Sequence, residues 1–276
     1  MRIPARFRVV VRWLLGEVQA AATPVPAMEI VRCLFALPDR IGGQLYIQNI
    51  EEKGPLLRVK LRGVECPLWW PREMNCNALR LVLNEQFDRS HWHRYETAET
   101  PVLPGDTVID CGAAEGLFSL LVAERCRKVY AIEPLPVFVT TLLRTLAPFP
   151  NVEILPALLG RHAGSSRLRI DGIASAEDAA GGVEVEVESL DERFHARGIK
   201  VDYLKGDLEG SELEVLEGGR RLIAEQKPRI AITTYHQLDH AERISDLLRE
   251  LHPGYQIKTC GLTENGAPIM LHAWTP

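Results

Sequence analysis

Residues 108–116 of this 276-residue chain read VIDCGAAEG: an apolar run ends in Asp110, Gly112 follows, and Gly116 comes four positions later. A second run, KVYAIEP, ends in Glu133, about twenty residues further on. A carboxylate at the tip of a buried strand accepts two hydrogen bonds from a ribose diol. A glycine after the strand lets the chain turn tightly and lets a ligand approach the backbone. Gly116 opens a helix, whose first N–H groups attract polar ligand groups. Taken singly, each residue is an ordinary turn glycine or strand-end acid. In this order they describe a nucleoside site built from Asp110, Gly112, Ala113, Gly116 and Glu133.

A dinucleotide site would need G-x-G-x-x-G, so that the backbone can wrap a pyrophosphate. Here the third position of that pattern is Ala114, and an acid precedes the first glycine. An acid there suits a cationic ligand better than a pyrophosphate. S-adenosylmethionine, which has a sulfonium, an ammonium and a ribose but no phosphate, is the expected cofactor.

Methyl transfer from such a donor is an in-line displacement, so the protein must align the reacting atoms and exclude water. An alcohol acceptor must also lose its proton. The run VDYLKGD delivers Asp207 to a strand end, with Glu209 two residues on, and RIAITTY is followed by His236. Asp207 is the first candidate for a catalytic or positioning role. Glu209 could bind the ligand's amine, bind the acceptor, or only face the next helix N-terminus. His236 has the pKa range of a neutral-pH base. Ser211 with Glu214 reads as a capping box and is set aside from chemistry. His236, Asp239 and His240 have metal-ligand chemistry, and Asp207 with Glu209 could supply oxygens. An N-cap role for Asp239 with Glu242 accounts for that acid without a metal, so none is expected.

These residues need a frame, and the chain supplies one after the Pro/Gly turn PVLPGD (101–106). Strand patterns TVIDC, KVYAIEP, VEILPAL, VDYLKGD, RIAITTY, YQIKT and APIMLHAW alternate with helical patterns, SELEVLEGGRRLIAEQ among them. That alternation predicts an α/β fold, a doubly wound and mostly parallel sheet covered on both faces. Ligands then bind at strand carboxyl ends, near the point where strand order reverses. Residues 1–100 read as a mixed helix and strand extension, a candidate substrate cap, and 101–276 as the cofactor-binding domain. In the extension, 5–20, 27–36 and 77–87 look helical, LLRVKLRGV alternates like a strand, and PLWWPRE reads as an aromatic turn. Trp69 and Trp70 either line a substrate pocket or plug the sheet. In EVEVESLDERF, the alternating acids read as a solvated strand face.

Composition sets the outer limits. The chain is 46% hydrophobic and 25% charged with a net charge of −5, which is globular and argues against non-specific nucleic-acid binding. The six cysteines are scattered, with no zinc spacing, as expected of buried thiols in a reducing compartment. The N-terminus carries four arginines before its first acid, Glu17, and its apolar stretch is too short and charged to span a bilayer. It either packs as an ordinary helix or makes weak contact with anionic lipid. A cytoplasmic location is the default expectation.

The motifs VIDCGAAEGLFSLL, AIEPLP, LKGDLEGSELEVLEGG and PRIAITTYHQLDH resemble the FkbM-type methyltransferase family, from about Tyr95 to the C-terminus. The family's I-D-V-E-G-x-E signature recurs as Gly206-Asp207-Leu208-Glu209-Gly210-Ser211-Glu212, with Gly206 replacing Ile. The resemblance implies a class I Rossmann-like fold with a seven-stranded sheet. It also implies S-adenosylmethionine-dependent methylation, typically of hydroxyl oxygens on sugars or secondary metabolites. Ala114 stands where the family usually has Asn, and Glu115 where it has a hydrophobic residue. N-methylation would use the same cofactor half, and a silent nucleoside-binding scaffold would keep the same fold.

Overall fold

The computed structural model describes residues 5–16, 25–32, 38–171, 174–177 and 183–276. Cys33 and the ends of the first two expected helices, 17–20 and 33–36, lie outside those residues. The extension runs through α1 (Ala5–Leu14), α2 (Ala27–Arg32) and α3 (Asp39–Tyr46). An antiparallel sheet follows, of β1 (Ile47–Lys53), β2 (Leu56–Leu61) and β3 (Leu68–Pro71), and then α4 (Cys76–Phe87). Strand and helix next alternate through β4 (Thr107–Cys111), α5 (Leu117–Val122), β5 (Lys128–Ile132), α6 (Pro136–Thr145) and β6 (Val152–Leu155). A small insert sheet holds β7 (Leu158–Leu159), β8 (Gly164–Asp171), β9 (Ala174–Glu177) and β10 (Val183–Glu188). The chain closes with β11 (Tyr203–Gly206), α7 (Glu212–Glu217), α8 (Arg220–Gln226), β12 (Arg229–Thr233), α9 (His240–Leu251), β13 (Gln256–Leu262) and β14 (Pro268–Trp274).

The expected large sheet forms, with seven strands in the order β6-β5-β4-β11-β12-β14-β13. From β6 to β12 all pairings are parallel, and β14 runs antiparallel to both its neighbours. All five residues of β4 are buried, as a parallel strand covered on both faces requires. The chain winds outward from β4 to β6 and then returns to β11 beside β4. The switch point therefore falls between the tips of β4 and β11, where the first loop and Asp207 meet.

Three local expectations are revised. The segment around Trp69 and Trp70 is not a turn but β3, which among the described residues pairs only with β2. Pro71 sits at the end of this edge strand, where the missing N–H costs no ladder bond. The run VEILPAL splits at Pro156: β6 stays in the large sheet, and Leu158–Leu159 join β10 in the insert. The helix expected over 211–226 breaks at Gly218–Gly219 into α7 and α8.

The extension shares a core with the main sheet. Val59, Leu61, Trp70 and Leu83 pack in one buried cluster with Leu117, Ala131 and Leu142. Trp70 is a plug, 1% exposed, while Arg144 lies 5.9 Å from the Trp69 ring centroid. On α1, Val9 and Val10 pack with Ile30 and Leu262, and Arg8 pairs with Glu264. Along β10, Val185 is buried and Glu184 and Glu186 are exposed, as the alternation predicts, whereas Glu188 is half-buried beside Arg193. Of the described cysteines, Cys111, Cys126 and Cys260 are buried, Cys66 is half-buried and Cys76 is exposed. No helix among the described residues is long and apolar enough to cross a membrane.

Candidate active site

The loop after β4 is held mainly by the protein itself. Asp110 is fully buried; its Oδ1 lies 3.0 Å from Lys205 Nζ, and its Oδ2 accepts a hydrogen bond from Ser119 Oγ at 2.7 Å. The carboxylate expected to face a ligand's ammonium instead faces the chain's own ammonium. Lys205 Nζ also donates to the Gly112 carbonyl at 2.5 Å and stands 4.9 Å from the Tyr95 ring centroid. Burial opposes its charge, but Asp110 and Asp207 outweigh that and hold its pKa above the ordinary lysine value.

Gly112 has φ +72°, and a Cβ on it would lie 1.9 Å from the Asp207 carbonyl oxygen. The close approach that demands glycine is thus to the β11 tip. Gly116, at φ +89°, is the N-cap of α5. Ala113 is 5% exposed and joins the shared core. Ala114 sits at φ +45°, a left-handed conformation costing a non-glycine residue about 1–2 kcal/mol. Glu115 is buried, which raises its carboxyl pKa to about 7 against the backbone N–H groups of Glu115 and Leu117.

Glu133 lies at the tip of β5, 5% exposed. Its Oε2 accepts from Ala114 N at 3.0 Å and its Oε1 from Leu135 N at 2.9 Å. Burial raises its pKa to about 7, against the pull of those two N–H groups. A carboxylate offers about four acceptor positions, so about two remain for a diol.

The tips of β11 and β12 carry a second, denser cluster. Asp207 is partly exposed, its side chain 23% open. Its Oδ2 accepts from Tyr95 OH at 2.7 Å and lies 3.8 Å from His93 Nε2, and His93 Nδ1 lies 3.7 Å from Glu85 Oε2. The extension thus brings Glu85, His93 and Tyr95 to Asp207. Glu212, fully buried, closes the loop between β11 and α7: its Oε1 accepts from Leu208 N at 3.0 Å and Gly210 N at 3.3 Å. Thr233 Oγ1 donates to the same oxygen at 3.0 Å and lies 3.3 Å from Asp207 Oδ1. His236 sits between two acids, its Nδ1 2.8 Å from Glu212 Oε1 and its Nε2 3.2 Å from Glu209 Oε2.

Those neighbours change the role of His236. Burial lowers its pKa, but Glu209 and Glu212 override that and raise it to about 10. At neutral pH the ring carries its proton, so the expected base is an imidazolium. Burial likewise works against the Glu212 charge, yet His236 and His240 hold its carboxyl far below the usual range. Two capping expectations also change. Ser211 and Asp239 occupy the N-cap positions of α7 and α9, but neither makes a side-chain cap bond. Asp239 pairs with Arg243 at 3.5 Å, and the residue that organises the 208–212 turn is Glu212. Sequence reasoning missed Lys205, Tyr95, His93 and Glu85, and gave Glu212 no role beyond its place in the signature. Lys205 had one signal, a cation two residues before Asp207 on an apolar strand.

The sheet order, its one reversed strand and a site at the β4–β11 switch point define a class I methyltransferase fold. The chain belongs to the FkbM methyltransferase family: the Methyltransferase FkbM domain matches residues 110–257. Methyltransferase sdnD of Sordaria araneosa is 30% identical over 168 residues, covering 46% of this chain and 64% of that protein. The crystal structure of Methyltransferase FkbM from Methylobacillus flagellatus KT has a TM-score of 0.52 at 22% identity, covering 71% of this chain and 52% of that one. The chain therefore spans less than two thirds of either relative's length. M. jannaschii TYW2, solved in complex with AdoMet, has a TM-score of 0.44 at 12% identity, covering 81% of this chain and 87% of that one.

Proposed function

We propose that this chain transfers a methyl group from S-adenosylmethionine to a hydroxyl oxygen of a sugar or secondary metabolite. The observation that carries the reading is Asp207, a partly open carboxylate at the β11 tip, in backbone contact with Gly112 and oriented by Tyr95 OH. When bound, S-adenosylmethionine supplies a methyl carbon already activated by its sulfonium. Glu133 accepts hydrogen bonds from the ribose hydroxyls, and the 112–116 loop lines the same side. Asp207 takes the hydrogen bond of the acceptor hydroxyl and draws off its proton as the new O–C bond forms. Tyr95 keeps the carboxylate aimed by donating to Oδ2, and Oδ1, 3.3 Å from Thr233 Oγ1, keeps a further acceptor position for the hydroxyl. His93, Tyr95 and Tyr235 form an aromatic wall: the His93 ring centroid lies 5.5 Å from that of Tyr95 and 5.7 Å from that of Tyr235. That wall keeps water from the reacting atoms.

Two measurements test this. Calorimetry with S-adenosylmethionine should show binding that Glu133→Ala weakens strongly; an unchanged affinity removes Glu133 from the ribose. Incubation of the full chain with isotope-labelled cofactor and a panel of hydroxyl and amine acceptors should label oxygen. Label on amines alone would overturn the hydroxyl assignment.

A further inference from the structure

An alcohol is a far weaker acid than a carboxylic acid, so a lone carboxylate draws its proton only slowly. Asp207 needs help, and the groups behind it are of an unusual kind. One ligand-type atom each from Asp207, Glu212 and His236 lie within 4.8 Å of one another. All three stand at the carboxyl ends of adjacent strands, two following β11 and one following β12.

Glu212 is the telling member. Its side chain is wholly buried, and its Oε2 has no hydrogen-bond partner among the described residues. The nearest group is His240 Nδ1 at 3.3 Å, itself buried and without a hydrogen bond. Both ring nitrogens of His236 also lack a well-directed hydrogen bond, although each lies close to a carboxylate. A buried polar atom left in that state is costly and needs an explanation. Three carboxylates, those of Asp207, Glu209 and Glu212, meet at this corner; Leu208 N, Gly210 N and Thr233 Oγ1 fill Glu212 Oε1, and Oε2 is left over.

We propose that Asp207, Glu212 and His236 form one face of a binding site for a divalent first-row cation such as Mn²⁺. Carboxylate oxygens suit Mn²⁺ and an imidazole nitrogen suits the neighbouring transition metals, and the His236 ring gives up its extra proton to solvent as the cation enters. Ligands at about 2.1 Å from a metal stand about 3 Å apart when adjacent and about 4.2 Å when opposite. The present spread is close to that, so side-chain rotation is enough to close it. The opposite face, toward the aromatic wall, is left for an oxygen of the acceptor. A hydroxyl on the cation ionises far more readily than a free one, and its proton then passes to a base as weak as a carboxylate. Glu209, 3.2 Å from His236 Nε2, would orient the imidazole from behind.

The test uses the full chain, stripped with a chelator and titrated with Mn²⁺ alone, reading free Mn²⁺ by electron paramagnetic resonance. Neither cofactor nor acceptor is present, so the outcome is independent of the methyl-transfer reading, which the cofactor calorimetry tests separately. One Mn²⁺ should bind per chain, and Asp207→Asn and His236→Ala should each weaken it by roughly tenfold or more. Asp239→Asn, remote from the trio in bonding, should leave the affinity unchanged. Circular dichroism on each variant guards against loss of fold, and Glu212→Gln is added where it folds. Absence of stoichiometric binding, or equal affinity in the folded Asp207 and His236 variants, overturns the site.

Discussion

Lys205 Nζ stands 3.0 Å from Asp110 Oδ1, with both side chains buried, and the two residues are register partners on β11 and β4. The pair ties the two strands that flank the switch point. Removing one partner from a buried ion pair leaves the other charge uncompensated and costs about 3–5 kcal/mol. Lys205→Met should therefore lower the urea midpoint sharply. The double variant with Asp110→Leu should recover much of the loss. A Lys205→Met cost below about 1 kcal/mol would show the pair to be dispensable.

Gly112 and Gly105 make a matched comparison, since both have positive φ, +72° and +86°. A Cβ at Gly105 meets nothing within 4 Å, whereas at Gly112 it would run into the Asp207 carbonyl oxygen. Gly105→Ala should cost about 1–2 kcal/mol, from backbone strain alone. Gly112→Ala should cost on the order of 3 kcal/mol or more and should displace Asp207 as well. Equal stabilities for the two variants would contradict the contact.

Cofactor affinity should depend on pH through Glu133. Its carboxyl titrates at about 7, and only the ionised form offers full acceptor capacity to a diol. Affinity should rise as pH increases through about 7, because docking releases the proton. Glu133→Gln should weaken binding by roughly tenfold and flatten the profile. The same raised pKa makes the ligand-free fold bind more protons than the unfolded chain between 4.5 and about 7, so this residue's contribution to stability falls as pH rises there. Calorimetry across that range reads the binding side; a flat wild-type profile would remove Glu133 from the ribose.

Tyr95 and Asp207 should affect the rate of transfer more than binding of the donor. Asp207→Asn should lower kcat by about 10²–10⁴-fold. Tyr95→Phe, which loses a bond to a charged oxygen, should lower it by about tenfold. Neither should change S-adenosylmethionine affinity much, and a parallel loss of affinity would place both residues on the donor side.

The sheet was legible because β4, β5, β11 and β12 are short apolar runs, the first three with acids or glycines at their tips. Glu133 and Asp207 could be placed at strand ends by the same logic. Partners drawn from distant positions could not be read. Nothing local in VIDCG says that Asp110 will meet Lys205, almost a hundred residues later. Nothing in HWHRYE says that His93 and Tyr95 will reach Asp207. His236 was read from its ordinary pKa, and two acids delivered by another strand end moved it. The capping reading of Ser211 followed local pattern, yet Glu212, turned inward, took over the turn.

The apolar flank formed by Leu117, Ala131 and Leu142 is sealed by Val59, Leu61, Trp70 and Leu83, contributed from before residue 100. A fragment starting at Pro101 would emerge from synthesis with a greasy wall facing solvent, and it should clump rather than act as a minimal catalyst. Exchanging the first hundred residues would demand re-tailoring of α5 and α6 in the same step, since the two surfaces were cut to one another.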